Sequence, residues 1–145
     1  MPEFTQRPDA VARLQGGENF PNLTGVVRFY RQKEGVLVRA DVCGLPPGRF
    51  FALHIHEGHG CGGEDFSETG GHYDPEERPH PYHAGDLPPL LSTCGWAHLS
   101  VLTDRFCLKD ILGRTVVIHE GPDDFTSQPA GNAGRKIACG VIRCR

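Results

Sequence analysis

Apolar and polar positions alternate with a period of two over several short stretches of this chain, the signature of half-buried strands. Thr24–Arg31 and Val36–Val42 are the clearest, rich in β-branched and aromatic residues. The short Gln32-Lys33-Glu34-Gly35 segment between them predicts a hairpin. Val11–Leu14 reads as a weak first strand. Leu45-Pro46-Pro47-Gly48 turns the chain into a strand over Arg49–Glu57, and Gly95–Thr103, Thr115–His119 and Lys136–Ile142 follow as later strands. Residues 58–89 carry almost no strand pattern, and Gly121–Gly134 forms a second irregular stretch. Loops that long in a compact domain are either functional or disordered. Seven or eight short strands with turn residues between them predict an all-β, antiparallel sandwich or barrel.

Composition sharpens this picture in few places. The 145 residues fit a single domain, 1–145, with residues 1–9 expected as a flexible extension. Nineteen glycines and twelve prolines, spread between apolar runs, supply the turns an all-β chain needs. The formal net charge of -3 argues against nucleic acid and membrane as partners, and no stretch of 18 apolar residues is present. Met1-Pro2-Glu3-Phe4-Thr5-Gln6-Arg7-Pro8 has neither a basic nor an apolar leader region. As it stands the sequence reads as cytoplasmic, and as exported if a leader has been removed. Six cysteines, at 43, 61, 94, 107, 139 and 144, permit pairing without choosing partners. None lies in a CxxC, which argues against a zinc ribbon.

The histidines carry the chemistry. His54 and His56 are two apart on a strand and so share a face. The first long loop supplies His72-x7-His80-x2-His83-x2-Asp86, and His119 ends the apolar run Thr115-Val116-Val117-Ile118. Six of the eight histidines are used, at spacings that point to a two-metal site. His98 alternates with apolar neighbours and reads as a strand-face residue. His59 stays outside the set, and Trp96 reads as core or surface patch. No HExxH is present, which weakens a zinc-hydrolase reading.

The chain resembles the copper/zinc superoxide dismutases of bacterial type. The motifs that carry the resemblance are Leu53-His54-Ile55-His56-Glu57, Gly70-Gly71-His72-Tyr73-Asp74-Pro75 and His83-Ala84-Gly85-Asp86-Leu87-Pro88. They continue with Gly113-Arg114-Thr115-Val116-Val117-Ile118-His119-Glu120, Gly131-Asn132-Ala133-Gly134 and Ile137-Ala138-Cys139-Gly140-Val141-Ile142. The resemblance runs in order from about residue 10 to residue 142. It implies a Greek-key sandwich or flattened eight-stranded barrel with two long functional loops. It implies one copper and one zinc ion per subunit, and dismutation of superoxide to oxygen and hydrogen peroxide. Copper would be held by His54, His56, His72 and His119, and zinc by His72, His80, His83 and Asp86. His72 would bridge both ions and also take a proton for the forming peroxide. Asp123 would fix one histidine of each set, and Cys61 would pair with Cys139. Cys43, Cys94, Cys107 and Cys144 are expected free, with a Cys107–Cys144 pair left open. The resemblance also allows a homodimer.

Departures from the family pattern raise a second reading. The family's channel arginine lies three residues before the Ala-Cys-Gly cysteine, where this chain has Lys136 beside Arg135. An ammonium is a mobile point charge, whereas a guanidinium is a rigid fork, so reduced turnover is expected. Only two residues separate His80 from His83, a short zinc loop, and Pro122–Pro129 lacks the lysines usual in the second loop. These features feed the alternative of a weakly active or inactive metal-binding protein, serving metal buffering or a structural role.

Overall fold

The strands form where the sequence alternates. The computed structural model describes residues 6–145, and they fold into nine strands: β1 (Ala10–Gly16), β2 (Thr24–Gln32), β3 (Gly35–Cys43), β4 (Phe50–Phe51), β5 (Leu53–His56), β6 (Leu90–Leu91), β7 (Trp96–Thr103), β8 (Thr115–His119) and β9 (Lys136–Cys144). Seven of them make one antiparallel sheet in the order β5-β8-β9-β1-β2-β3-β7, and β4 pairs with β6. Only Ala52 separates β4 from β5, and the Thr93–Trp96 turn feeds β6 into β7. The two ends of the curled sheet are thereby joined, as an eight-stranded flattened barrel requires when β4 and β5 count as one interrupted strand.

Inward residues recur at every second position. Ala10, Ala12 and Leu14 of β1, Val27 and Phe29 of β2, and Val36, Val38, Ala40 and Val42 of β3 all join one buried core. That core continues through Leu53 and Ile55 of β5, Val116 and Ile118 of β8 and Ile142 of β9. β1 is a central strand between β2 and β9. Its signal in the sequence is faint because alanines, poor in β propensity, fill two of its three inward positions. The single strand expected over Arg49–Glu57 is interrupted at Ala52. There the main chain turns to Gly121, which accepts from the Ala52 N–H at 2.9 Å.

The long loop is less irregular than its sequence suggests. It contains a short 3-10 segment, Glu64–Thr69. Further on it lies along the free edge of β5: the Ile55 N–H donates to Gly85, the Glu57 N–H to Gly71 and the Tyr73 N–H to the Ile55 carbonyl. The one-turn helix α1 (Leu108–Ile111) was not anticipated. Its start is fixed by the Asp110 carboxylate, which accepts from the Cys107 N–H. Of the extension expected to be flexible, residues 1–5 lie outside the described residues. Asp9 accepts from the Arg31 N–H at 2.7 Å and donates its own N–H to Phe29.

Cys61 and Cys139 form a disulfide, with Cα atoms 5.8 Å apart. Cys43, Cys94, Cys107 and Cys144 are free, so Cys107 and Cys144 do not pair.

Candidate metal centre

β5 and β8 turn one face to the core and the other to the two long loops. Leu53 and Ile55 take the core face, which leaves His54 and His56 on the loop face. The register sets His54 opposite Val117 and His56 opposite Thr115. On the loop side of β5, His54 faces Asp86 and His56 faces His72. Four of the candidate ligands are thus brought together by main-chain pairing before any side chain chooses a rotamer. His119 arrives at the end of β8, where the β8–β9 register shifts. Ile118 faces Ala138 but His119 faces Lys136, so β9 carries an extra residue, Ile137. That shift decides which residue of β9 stands beside the site. Arg135 points elsewhere, to Asp65 at 3.0 Å.

The histidines converge as two groups that share members. Single nitrogens of His54, His56, His72 and His119 lie within 4.8 Å of one another. His54, His72, His80 and Asp86 satisfy the same limit. His83 belongs with the second group on closer distances: its Nδ1 is 3.1 Å from His72 Nδ1 and 3.1 Å from an Asp86 oxygen. His80 Nδ1 is likewise 3.1 Å from Asp86, and His72 Nδ1 is 2.8 Å from it. His54 is the weaker claimant to this acidic group, because its Nε2 is committed to Asp123.

Hydrogen bonds on the outer nitrogens fix the tautomers. His56 Nδ1 donates to the Gly70 carbonyl at 2.9 Å, and His119 Nδ1 donates to the Gly134 carbonyl at 3.1 Å. A carbonyl only accepts, so the proton of each neutral ring sits on Nδ1 and Nε2 carries a lone pair. Those two Nε2 atoms face each other at 3.1 Å. Asp123 does the same for one residue of each group, accepting from His54 Nε2 at 2.9 Å and from His80 Nε2 at 2.7 Å. His54 Nδ1, His80 Nδ1 and His72 Nε2 are left buried without a hydrogen-bond donor. Lone pairs packed this closely repel one another, and a cation between them removes the conflict.

Burial enforces neutrality. It pushes the His56 imidazole down to about 2 and that of His119 down to about 3, and it lowers His54 as well. Asp86 and Asp123 are held below the usual carboxylate range. Burial opposes this in both, but hydrogen bonds from His72 to Asp86, and from His54 and His80 to Asp123, override it. His54, His56 and His119 are therefore neutral, and Asp86 and Asp123 ionised, at neutral pH. In the metal-free protein the linkage has a definite sign. Below pH 6.5 an unfolded chain protonates both histidines while the fold refuses the protons, so stability falls as pH falls. Taking His56 and His119 together, the metal-free protein should lose about 1–1.5 kcal/mol between pH 7 and pH 6. Urea unfolding at the two pH values measures it, and equal stabilities would refute buried neutral rings.

Lys136 closes one side of the all-histidine group. Its Nζ donates to Thr69 Oγ1 at 2.7 Å and to the Gly70 carbonyl at 2.9 Å. An ammonium has three donors, so one remains for a ligand. Thr69, Gly70 and Gly131 were not singled out in the sequence. Gly131 has a positive φ of 67°, and a Cβ there would fall 2.1 Å from Asp123 Oδ1 and 2.6 Å from His80 Nε2. Its place in Gly131-Asn132-Ala133-Gly134 was the available signal. His59 and His98 stay outside both groups: His59 donates to the Gly113 carbonyl, and His98 pairs with Asp41 on the exposed sheet face. Trp96 is exposed.

A curled β-barrel whose loops aim two histidine-rich donor sets at adjacent points defines a protein built for two metal ions. Comparison with known proteins gives the same class a family. The family profile described as copper/zinc superoxide dismutase matches residues 23–142. A Cu-Zn superoxide dismutase of Aquifex aeolicus is 37% identical over an alignment of 155 positions, covering 97% of this chain and 90% of the relative. One of Photobacterium leiognathi is 34% identical, covering 82% and 78%. The solved Cu/Zn superoxide dismutase from Brucella abortus superposes with a TM-score of 0.78 at 27% identity, over 91% of this chain and 98% of that one. A SOD-like protein from Bacillus subtilis superposes with a TM-score of 0.78 at 28% identity, over 90% and 96%. The chain belongs to the copper/zinc superoxide dismutase family.

Proposed function

We propose that this chain is a superoxide dismutase holding copper among His54, His56, His72 and His119, and zinc among His72, His80, His83 and Asp86. The observation that carries the reading is the shared His72. Its Nδ1 stands in the acidic group, and its buried Nε2 is left for the all-histidine group. The donor chemistry fits both ions. Imidazoles suit a metal that changes valence, and three histidines with one carboxylate make the closed four-ligand shell of a structural zinc. Copper held by the four histidines would supply one-electron redox chemistry between two valences, as dismutation of superoxide to oxygen and peroxide requires.

The protein's own part is to position and to attract. Asp123 keeps His54 and His80 in the tautomers that offer Nδ1, and the carbonyls of Gly70 and Gly134 keep His56 and His119 in those that offer Nε2. His72 Nε2 is the atom placed to hold and release the proton that peroxide formation needs. Lys136, tethered beside His119, supplies positive charge that draws in a small anion. The test is metal content and superoxide removal on the same copper- and zinc-loaded sample. Fast removal is expected. Full occupancy with removal no faster than in free solution would refute the enzyme and favour a metal-buffering protein.

The cation at the mouth gives a second measurement. Lys136→Gln keeps a donor for Thr69 but loses the charge, and should lower activity several-fold while flattening its dependence on ionic strength. Lys136→Arg should hold or raise activity. Arg135→Ala, which only frees Asp65, should leave it within about two-fold. A large loss in Arg135→Ala with none in Lys136→Gln would reverse the assignment.

A further inference from the structure

The short zinc segment raises a question its own sequence does not answer. His80 lies in Pro79-His80-Pro81, where the flanking prolines have no N–H to give. The main chain there cannot hold itself in a ladder, yet His80 must be aimed at Asp86 by one nitrogen and at Asp123 by the other. A turn bond from the Tyr82 N–H to the Pro79 carbonyl at 2.8 Å spans the segment, and two side chains from distant parts of the chain hold other main-chain groups in it. The Gln128 amide oxygen accepts from the His80 N–H at 2.9 Å, and its nitrogen donates to the His80 carbonyl at 2.8 Å. That pair uses both main-chain groups of the ligand residue, as a neighbouring strand would. It also fixes the orientation of the amide, because the flipped form would set donor against donor. At the other end of the segment one Arg105 guanidinium nitrogen donates to the Pro81 carbonyl at 2.8 Å and to the His83 carbonyl at 3.2 Å.

Gln128 is itself held in place. Asp124 accepts from the N–H groups of Thr126 and Ser127 and from the Ser127 hydroxyl, building the turn from which Gln128 projects. The Gln128 nitrogen also donates to the Thr126 carbonyl at 3.2 Å. The second loop therefore reaches His80 twice, through Asp123 at the ring and through Gln128 at the main chain.

We propose that Gln128 and Arg105 are positioning residues that clamp the main chain of the His80–His83 segment and so set the zinc affinity of the shortened loop. The proposal rests on the reading of His72, His80, His83 and Asp86 as the zinc site. It predicts an effect on one metal only, since neither side chain reaches the all-histidine group. Gln128→Met removes both hydrogen bonds to His80, and the one to Thr126, at nearly constant volume. Arg105→Met removes the other two.

The full-length protein, stripped of metal and reloaded, is titrated with zinc against a chromophoric chelator, and separately with copper. Cobalt substituted for zinc reports site geometry through its visible absorption. Each variant should bind zinc about 10-fold or more weakly than the parent, a loss typical of removing groups that orient ligands. Copper affinity should stay within about two-fold, and the cobalt spectrum should shift. Zinc affinity and cobalt spectrum unchanged in both variants would overturn the clamp. Equal weakening of zinc and copper would overturn it as well, by showing general loosening. His83→Ala separates this from failure of the underlying reading: if zinc binding ignores that substitution too, the site assignment is wrong. If only the Gln128 and Arg105 variants are silent, the clamp is.

Discussion

Replacing Asp123 by alanine should weaken both metals at once, each by about 10- to 100-fold. Its carboxylate accepts from a ring of each set, at 2.9 Å from His54 Nε2 and 2.7 Å from His80 Nε2. Without it, either ring can move its proton to Nδ1, the nitrogen that must stay free for metal. Asparagine makes a sharper test. Its amide presents one acceptor and one donor, so it can satisfy only one of the two Nε2–H groups. The ring facing the NH2 is driven to the opposite tautomer. Asp123→Asn should therefore damage one site far more than the other, where alanine damages both. Chelator competition for each metal, alongside circular dichroism to show an intact fold, reads the difference. Affinities within two-fold of the parent in both variants would sink the tautomer argument. The contrast with Gln128→Met, expected to touch zinc alone, separates the ring contact from the main-chain contact.

Removing the disulfide should cost about 4–5 kcal/mol of stability in the chain-entropy account. The crosslink spans 78 residues of sequence and ties the first long loop to the last strand. For a chain of this length that corresponds to a fall in melting temperature of roughly 8–20 °C. Cys61→Ser with Cys139→Ser avoids a stray thiol, and calorimetry of the metal-free protein gives the number. A drop of less than about 1 kcal/mol would show that the unfolded chain is no freer without the bridge. The effect also reaches the site. The segment tethered by Cys61 leads to Thr69 and Gly70, which hold Lys136 and the His56 ring. Loss of the bridge should weaken copper more than zinc, because the zinc segment is held separately by Gln128, Arg105 and Asp123.

The strands β2, β3 and β7 were legible because their period of two meets one buried face each. The interruption at Ala52 and the two-residue β6 were not, since each depends on partners far away in the chain. For the site, local spacing placed His54 and His56 on one strand face. Spacing also put His72, His80, His83, Asp86 and His119 in the candidate set, the resemblance added the division between two metals, Asp123 and the disulfide pair, and the structure brings all of these side chains together. The resemblance left Lys136 and Arg135 undecided. The structure sets Lys136 opposite His119, through a register shift that passes over Ile137, and turns Arg135 to Asp65, because a pairing register is a property of two strands and not of either sequence alone. Gln128, Arg105 and the carbonyl of Gly70 gave no signal at all. Their roles are hydrogen bonds to main-chain atoms or from distant side chains, and every residue type presents the same main chain. What the sequence by itself determined was the inventory of candidate ligands and the shared strand face of His54 and His56. Which lone pairs end up buried against one another, and what holds them there, is decided by the close approach of two loops that only the closed barrel brings together.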